Sequence, residues 1–97
     1  MALSDLNKAI KLKSNIADYH NQRGIVYTLL ENYEKAIKDF NKAIKIDKEI
    51  IEYYYNRGSA FMKSERYHEA IQDYIKVISL DAGDTQAFIN RGYCYNK

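Results

Sequence analysis

A chain of 97 residues is long enough for one compact domain and too short for two. With 46% hydrophobic and 29% charged residues it is no disordered segment, and a formal net charge of +2 gives no strong field for nucleic acid or an anionic membrane. The one cysteine, Cys94, cannot close an internal disulfide, which fits a reducing, cytoplasmic setting, and no run of 18 apolar residues is present to span a membrane.

Taken in order, the predicted elements are helices. Ala2, Leu3, Leu6, Ala9 and Ile10 fall at i, i+1, i+4, i+7 and i+8, which is one stripe of an α-helix. A second helix follows Asn15, whose spacing to Asp18 resembles a capping box, and it carries Gln22-Arg23-Gly24. Glu31-Asn32 form a short polar turn. The stripe then returns as Ala36, Ile37, Phe40, Ala43 and Ile44. A fourth helix runs through Tyr53, Tyr54, Arg57, Gly58 and Phe61, and Glu65-Arg66 form the next turn. The fifth repeats the stripe as Ala70, Ile71, Tyr74, Val77 and Ile78. Asp84, just after Gly83, is placed to cap a sixth helix through Asn90-Arg91-Gly92. Lys42 to Tyr55 holds neither proline nor glycine, so the third helix could run on into the fourth and exchange partners between chains.

These elements are copies. Gly24, Gly58 and Gly92 are spaced by 34 residues, Asp5, Asp39 and Asp73 share the same register, and Asn7-Lys8-Ala9-Ile10-Lys11 returns intact as Asn41-Lys42-Ala43-Ile44-Lys45. A period of this size means stacked supersecondary units and a function carried by an extended surface. Each unit is two helices, A with the glycine and B with the apolar stripe. Short turns force antiparallel neighbours. A glycine inside a helix costs about 1 kcal/mol against alanine, so its recurrence implies a close approach, with Ala36, Ala70 and Ala43 as the expected small partners.

The repeat resembles the tetratricopeptide repeat. With Gly24 at position 8, residues 17–50 place Tyr27, Ala36, Phe40 and Ala43 at positions 11, 20, 24 and 27. Residues 51–84 place Tyr54, Gly58, Phe61, Ala70, Tyr74 and Val77 at positions 4, 8, 11, 20, 24 and 27. Phe88, Gly92 and Tyr95 open a third register, and Ala2, Leu6 and Ala9 match upstream. Position 4 of the first unit departs as His20, position 7 is arginine throughout, and position 32 is Ser14, Lys48 or Ala82, never proline. The resemblance implies an all-α fold, a right-handed superhelical stack of antiparallel helix pairs. It divides the single array into helix B of a partial repeat (1–16), full repeats 17–50 and 51–84, and helix A of a partial repeat (85–97). Each end then lacks its covering helix. Leu3, Leu6 and Ile10 would need an A helix, and Phe88, Cys94 and Tyr95 a B helix. The chain is therefore expected to be a piece of a longer array, or to self-associate through its uncapped ends.

The family's ligands usually dock on the concave face lined by the A helices. The resemblance implies a protein or peptide partner there, with Asn21, Gln22, Ile25, Tyr55, Asn56, Ser59, Met62, Ile89, Asn90 and Tyr93 as the candidate surface. Gln22, Asn56 and Asn90 recur as amides, which can both donate to and accept from a peptide backbone, or equally bond neighbouring helices. The family's clamp for acidic chaperone tails is matched only at Asn56, and Asp18 and Glu52 would repel such a tail. Arg23, Arg57 and Arg91 suggest anion recognition, but pairing with Asp39, Asp73 and Asp5 beside the inter-helix packing explains them better. His20 and His68 lack ligands at metal spacing. Cys94, between Tyr93 and Tyr95, reads as a small buried hydrophobe. No acid–base or nucleophile–base set can be assembled, so no enzyme and no cofactor is expected. The rival reading is a self-assembling structural module. RNA binding, as in the related pentatricopeptide repeats, would need a 35-residue period and strong basic charge, and neither is present.

Overall fold

Helix and turn alternate because each apolar stripe is bounded by residues that stop a helix. The computed structural model describes residues 3–97, and Ala2, the upstream match to position 20, lies outside them. Six helices follow: α1 (Leu3–Leu12), α2 (Ala17–Leu29), α3 (Tyr33–Ile46), α4 (Ile51–Lys63), α5 (Tyr67–Leu80) and α6 (Thr85–Tyr95). Each packs on the next, and α2 also touches α4, giving an elongated stack of 41 × 25 × 18 Å. The B stripes and the A helices meet in one core of Ala36, Ile37, Phe40, Tyr54, Ala60, Phe61, Ala70, Ile71, Tyr74, Val77, Ala87 and Cys94. Burying each large side chain there contributes about 1.5–3 kcal/mol.

The A-to-B turns are alike. Glu31 (φ 61°) and Glu65 (φ 64°) occupy the left-handed region just after α2 and α4. Asn32 N–H donates to the Tyr27 carbonyl and Glu31 N–H to that of Thr28, while Arg66 and Glu65 do the same to Phe61 and Met62. This is the Schellman pattern, and it satisfies carbonyls that each helix end would otherwise leave open.

The B-to-A turns form without proline, so the continuous helix envisaged over Lys42–Tyr55 does not occur. Asp47 is extended (φ −139°, ψ 107°), and its carboxylate accepts from Glu49 N–H at 3.4 Å. The Tyr54 hydroxyl then donates to the Lys48 carbonyl at 2.7 Å. One turn earlier, His20 Nε2 bonds the Ser14 carbonyl at 2.7 Å. The position-4 side chain thus ties down the carbonyl of position 32. Phe88 cannot do so, and there Asp81 accepts from Gly83 N–H while Asp84 caps α6 through Ala87 N–H, as expected.

Four further expectations are corrected. Asn15 caps nothing: α2 begins after Ile16, whose backbone carbonyl accepts from Tyr19 N–H, with no side-chain cap. The glycine partners are rings rather than alanines. A Cβ on Gly24 would stand 2.6 Å from the Phe40 ring, and one on Gly58 would stand 3.1 Å from Asp73 Cβ and 3.2 Å from the Tyr74 ring. Gly92 shares the spacing but not the surroundings, since no described helix stands opposite it and its Cβ position is open. Leu6 and Ile10 need no further helix, because α2 already buries them, and Cys94 is likewise buried.

Candidate functional site

The arginine series is structural where a partner exists. Arg23 grips Asp39 through Nε (2.8 Å) and an Nη (2.7 Å), and its other Nη donates to Asn7 Oδ1 at 3.0 Å. Arg57 does the same to Asp73 (2.9 and 2.6 Å) and to Asn41 (2.8 Å). One guanidinium therefore joins its own B helix to the preceding one. The recurrence of Asn7 and Asn41 in the same register was the signal for that third bond. The Asp39 hydrogen bond raises the Arg23 pKa, while burial pushes the Asp73 carboxyl up against the opposing pull of Arg57. Asp5 is exposed and in no ion pair among the described residues. His20 is buried, with Nδ1 3.9 Å from Asp39, and His68 is exposed. Burial pushes the Cys94 thiol up, which disfavours the thiolate that a nucleophile needs.

The A helices bring most of the candidate surface together and use up part of it. Asn21 is only 1% exposed. Its amide donates to Glu52 Oε2 (3.3 Å) and its carbonyl accepts from Asn56 Nδ2 (2.9 Å). Asn90, also buried, donates to the Tyr55 hydroxyl (3.4 Å) and accepts from Gln86 (2.9 Å). Gln22 donates to Asp18 on its own helix at 2.6 Å. The recurring amides thus act chiefly between helices, because a polar group enclosed by neighbours must find its partner there.

Beside them lies an open apolar groove. Ile25, Thr28 and Leu29 of α2 face Asn56, Ser59 and Lys63 of α4 across a hollow of about 210 Å³ floored by Phe40. Ser59 Oγ lies 3.3 Å from the Tyr74 hydroxyl, and Tyr55 meets the Tyr74 ring edge-on at 5.9 Å. Burial raises the Tyr74 phenol to about 12. A second hollow of about 430 Å³ lies between the first turns of α4 and α6, lined by Ile51, Glu52, Tyr55, Asp84 and Gln86. Leu29, Ile89 and Tyr93 are 75%, 58% and 48% exposed, while Met62 is half-buried against the core. Tyr93 packs edge-on against Tyr67, with Lys97 Nζ 4.9 Å above its ring. Ile51 and Asp84 join this surface although helix spacing alone gave no signal for them; they enter because the first turns of α4 and α6 stand on either side of one hollow.

Carboxylates stand at the start of the A helices, as Asp18, Glu52 and Asp84, while Lys63 closes α4 and Lys97 follows α6. Among the described residues no group of three potential metal ligands occurs, and no helix is long and apolar enough to cross a membrane.

Comparison with known proteins agrees with this geometry. Residues 17–49 and 51–84 match the family model described as tetratricopeptide repeat. No curated protein matches the chain. Among solved structures, the Arabidopsis OM64 TPR domain is 28% identical, with a TM-score of 0.92, over 98% of this chain and 78% of that one. The second TPR domain of human RPAP3, solved in complex with the HSP70 peptide SGPTIEEVD, is 26% identical with a TM-score of 0.91, over 98% and 79%. A MamA crystal structure is 23% identical with a TM-score of 0.94, over 97% of this chain and 51% of that one, and shows the fold alone.

Proposed function

The chain belongs to the tetratricopeptide repeat family, and from that premise we propose that it is a protein–protein interaction module whose concave face holds a peptide segment or partner helix. The observation that carries the reading is the hollow between α2 and α4, where half-buried Ile25 and exposed Leu29 stand beside Asn56 and Ser59. Leu29 on α2 and Ile89 and Tyr93 on α6 are large apolar side chains left in solvent. Exposed apolar residues gathered in a preformed hollow suit an anchor side chain, with hydroxyl and amide groups beside it to meet a backbone.

An acidic tail of the kind bound by the RPAP3 domain fits this chain poorly. Glu52 and Asp84 line the hollow between α4 and α6 and Asp18 is exposed in the first turn of α2, where such a tail would need cations, and the matching Asn56 has already given its amide to Asn21. The partner is an apolar segment without strong negative charge.

The test is selection from a random displayed-peptide library. Selected peptides should lose binding to the Leu29→Glu and Tyr93→Ala chains and keep it for Lys42→Glu on the opposite, solvated face. A library that yields no binder, or binders indifferent to Leu29 and Tyr93, would remove the groove reading.

A further inference from the structure

The hollow between the first turns of α4 and α6 is lined by two carboxylates, Glu52 on α4 and Asp84 at the N-cap of α6. Each is oriented by a neutral donor. Glu52 Oε2 accepts from the Asn21 amide at 3.3 Å, and Asp84 Oδ1 accepts from Ala87 N–H at 3.0 Å. Such bonds fix a carboxylate in place but leave its charge uncancelled and its other lone pairs free. Elsewhere the chain supplies the cation itself: Asp39 has Arg23, Asp73 has Arg57, and Glu34 and Glu69 share Arg66. Among the described residues no cation pairs with Glu52 or Asp84. The field along this edge is negative. Burial, and after it the charges of Asp18, Asp47 and Glu52, push the Tyr53 phenol up.

The remaining wall is apolar and rigid. Ile51 and Tyr55 are half-buried. The Tyr55 hydroxyl accepts from the Asn90 amide at 3.4 Å, and its ring is braced edge-on against Tyr74. A wall of this kind covers the methylenes of a long side chain while its charged head reaches a carboxylate, and a tyrosine ring itself attracts a cation. The hollow between α2 and α4 is different. It has about half the volume, Ile25, Leu29 and Phe40 line it, and its one charged group is the cation Lys63. One hollow therefore suits an apolar side chain and the other a basic one.

We propose that the hollow between α4 and α6 seats an arginine or lysine side chain of the partner segment, with its stem against Ile51 and Tyr55 and its charge on Glu52 and Asp84. This assignment rests on the groove reading, in which the hollow between α2 and α4 takes an apolar anchor. The partner then needs two features, an apolar anchor and a cation one repeat further along the face.

Peptides selected on the whole chain from the random displayed library test this. Those that depend on Leu29 and Tyr93 should carry an arginine or lysine at a fixed distance from their apolar anchor. Glu52→Gln and Asp84→Asn remove charge but keep the oxygens that accept from Asn21 and Ala87 N–H, and asparagine caps a helix as well as aspartate does. Each should weaken binding about threefold and the two together about tenfold, as partly exposed ion pairs do. Added salt should erode binding to the native chain more than to the doubly substituted one. A peptide whose basic residue is replaced by norleucine should bind both chains alike. Binders that need Leu29 and Tyr93 but carry no cation, or that hold the doubly substituted chain as tightly as the native one, would overturn the cation seat and leave the groove standing. A library that yields no binder would overturn both.

Discussion

Alanine at the three motif glycines should give three different results from one substitution. In a helix interior Gly→Ala gains about 1 kcal/mol in propensity. At Gly24 the added methyl would stand 2.6, 2.8 and 2.9 Å from three carbons of the Phe40 ring, where relaxed carbon contacts lie at about 3.5–4.0 Å. Phe40 is 1% exposed, and the space open to its ring is the small hollow that it floors. Overpacking of this kind costs about 1–3 kcal/mol. The net loss at Gly24 is then roughly 0–2 kcal/mol, toward the upper end because three ring carbons clash at once. At Gly58 the nearest atoms are Asp73 Cβ at 3.1 Å and the Tyr74 ring at 3.2 Å. A shift of a few tenths of an ångström suffices there, but Arg57 holds Asp73 at both oxygens, so the change should fall between roughly zero and a 1 kcal/mol loss. At Gly92 nothing opposes the methyl, and α6 ends at Tyr95, so a gain of about 0.5–1 kcal/mol is expected. In a domain of this size each kcal/mol moves the melting temperature by roughly 4–8 °C. Thermal melts followed at 222 nm on dilute protein should rank the variants Gly92→Ala, Gly58→Ala, Gly24→Ala from most to least stable. A Gly24→Ala chain as stable as Gly92→Ala would refute the claim that this glycine exists to seat a ring.

Two further outcomes concern the turns and the core. Glu31 and Glu65 hold left-handed backbone that costs an L-residue roughly 1–2 kcal/mol. Part of that returns as lost chain entropy with glycine, so Glu31→Gly and Glu65→Gly should each raise stability by about 0.5–1 kcal/mol in urea titration, and a fall would mean that the carboxylates do something there beyond turning the chain. The Tyr74 phenol is raised by burial to about 12, against about 10 in an unfolded chain. The folded state then keeps a proton that the unfolded state has released, so this contribution to stability is whole below pH 10 and disappears as pH climbs to about 12. Urea midpoints across that range should fall steeply for the native chain and less steeply for Tyr74→Phe, with equal slopes counting against the assignment.

What could be read from the residues, and what could not, divides along a physical line. The 34-residue period, the two helices per unit and the Asp84 cap were legible because helical spacing, one-sided hydrophobicity and capping are set by residues within a few positions of each other. The pairing of Arg23 with Asp39 and of Arg57 with Asp73 was also legible, since the same register recurs on both sides of the hairpin. Part of the candidate surface was legible on the same grounds: Ile25, Asn56 and Ser59 share one hollow. Asn21 stood equally well in the pattern, yet it is buried between Glu52 and Asn56.

Choice among equivalent partners belonged to the tertiary structure. An amide on helix A can bond a ligand or the next helix, and only the closeness of α2 to α4 decides in favour of the helix. A glycine invites close approach without saying by what, and the packing of α3 on α2 sends the Phe40 ring there rather than Ala36. A junction without proline could have run straight on, but Tyr54 reaches back to the Lys48 carbonyl and holds the bend. In each case the local sequence makes a group able to bond or to yield space, and the distance to a residue far along the chain settles which possibility is realised.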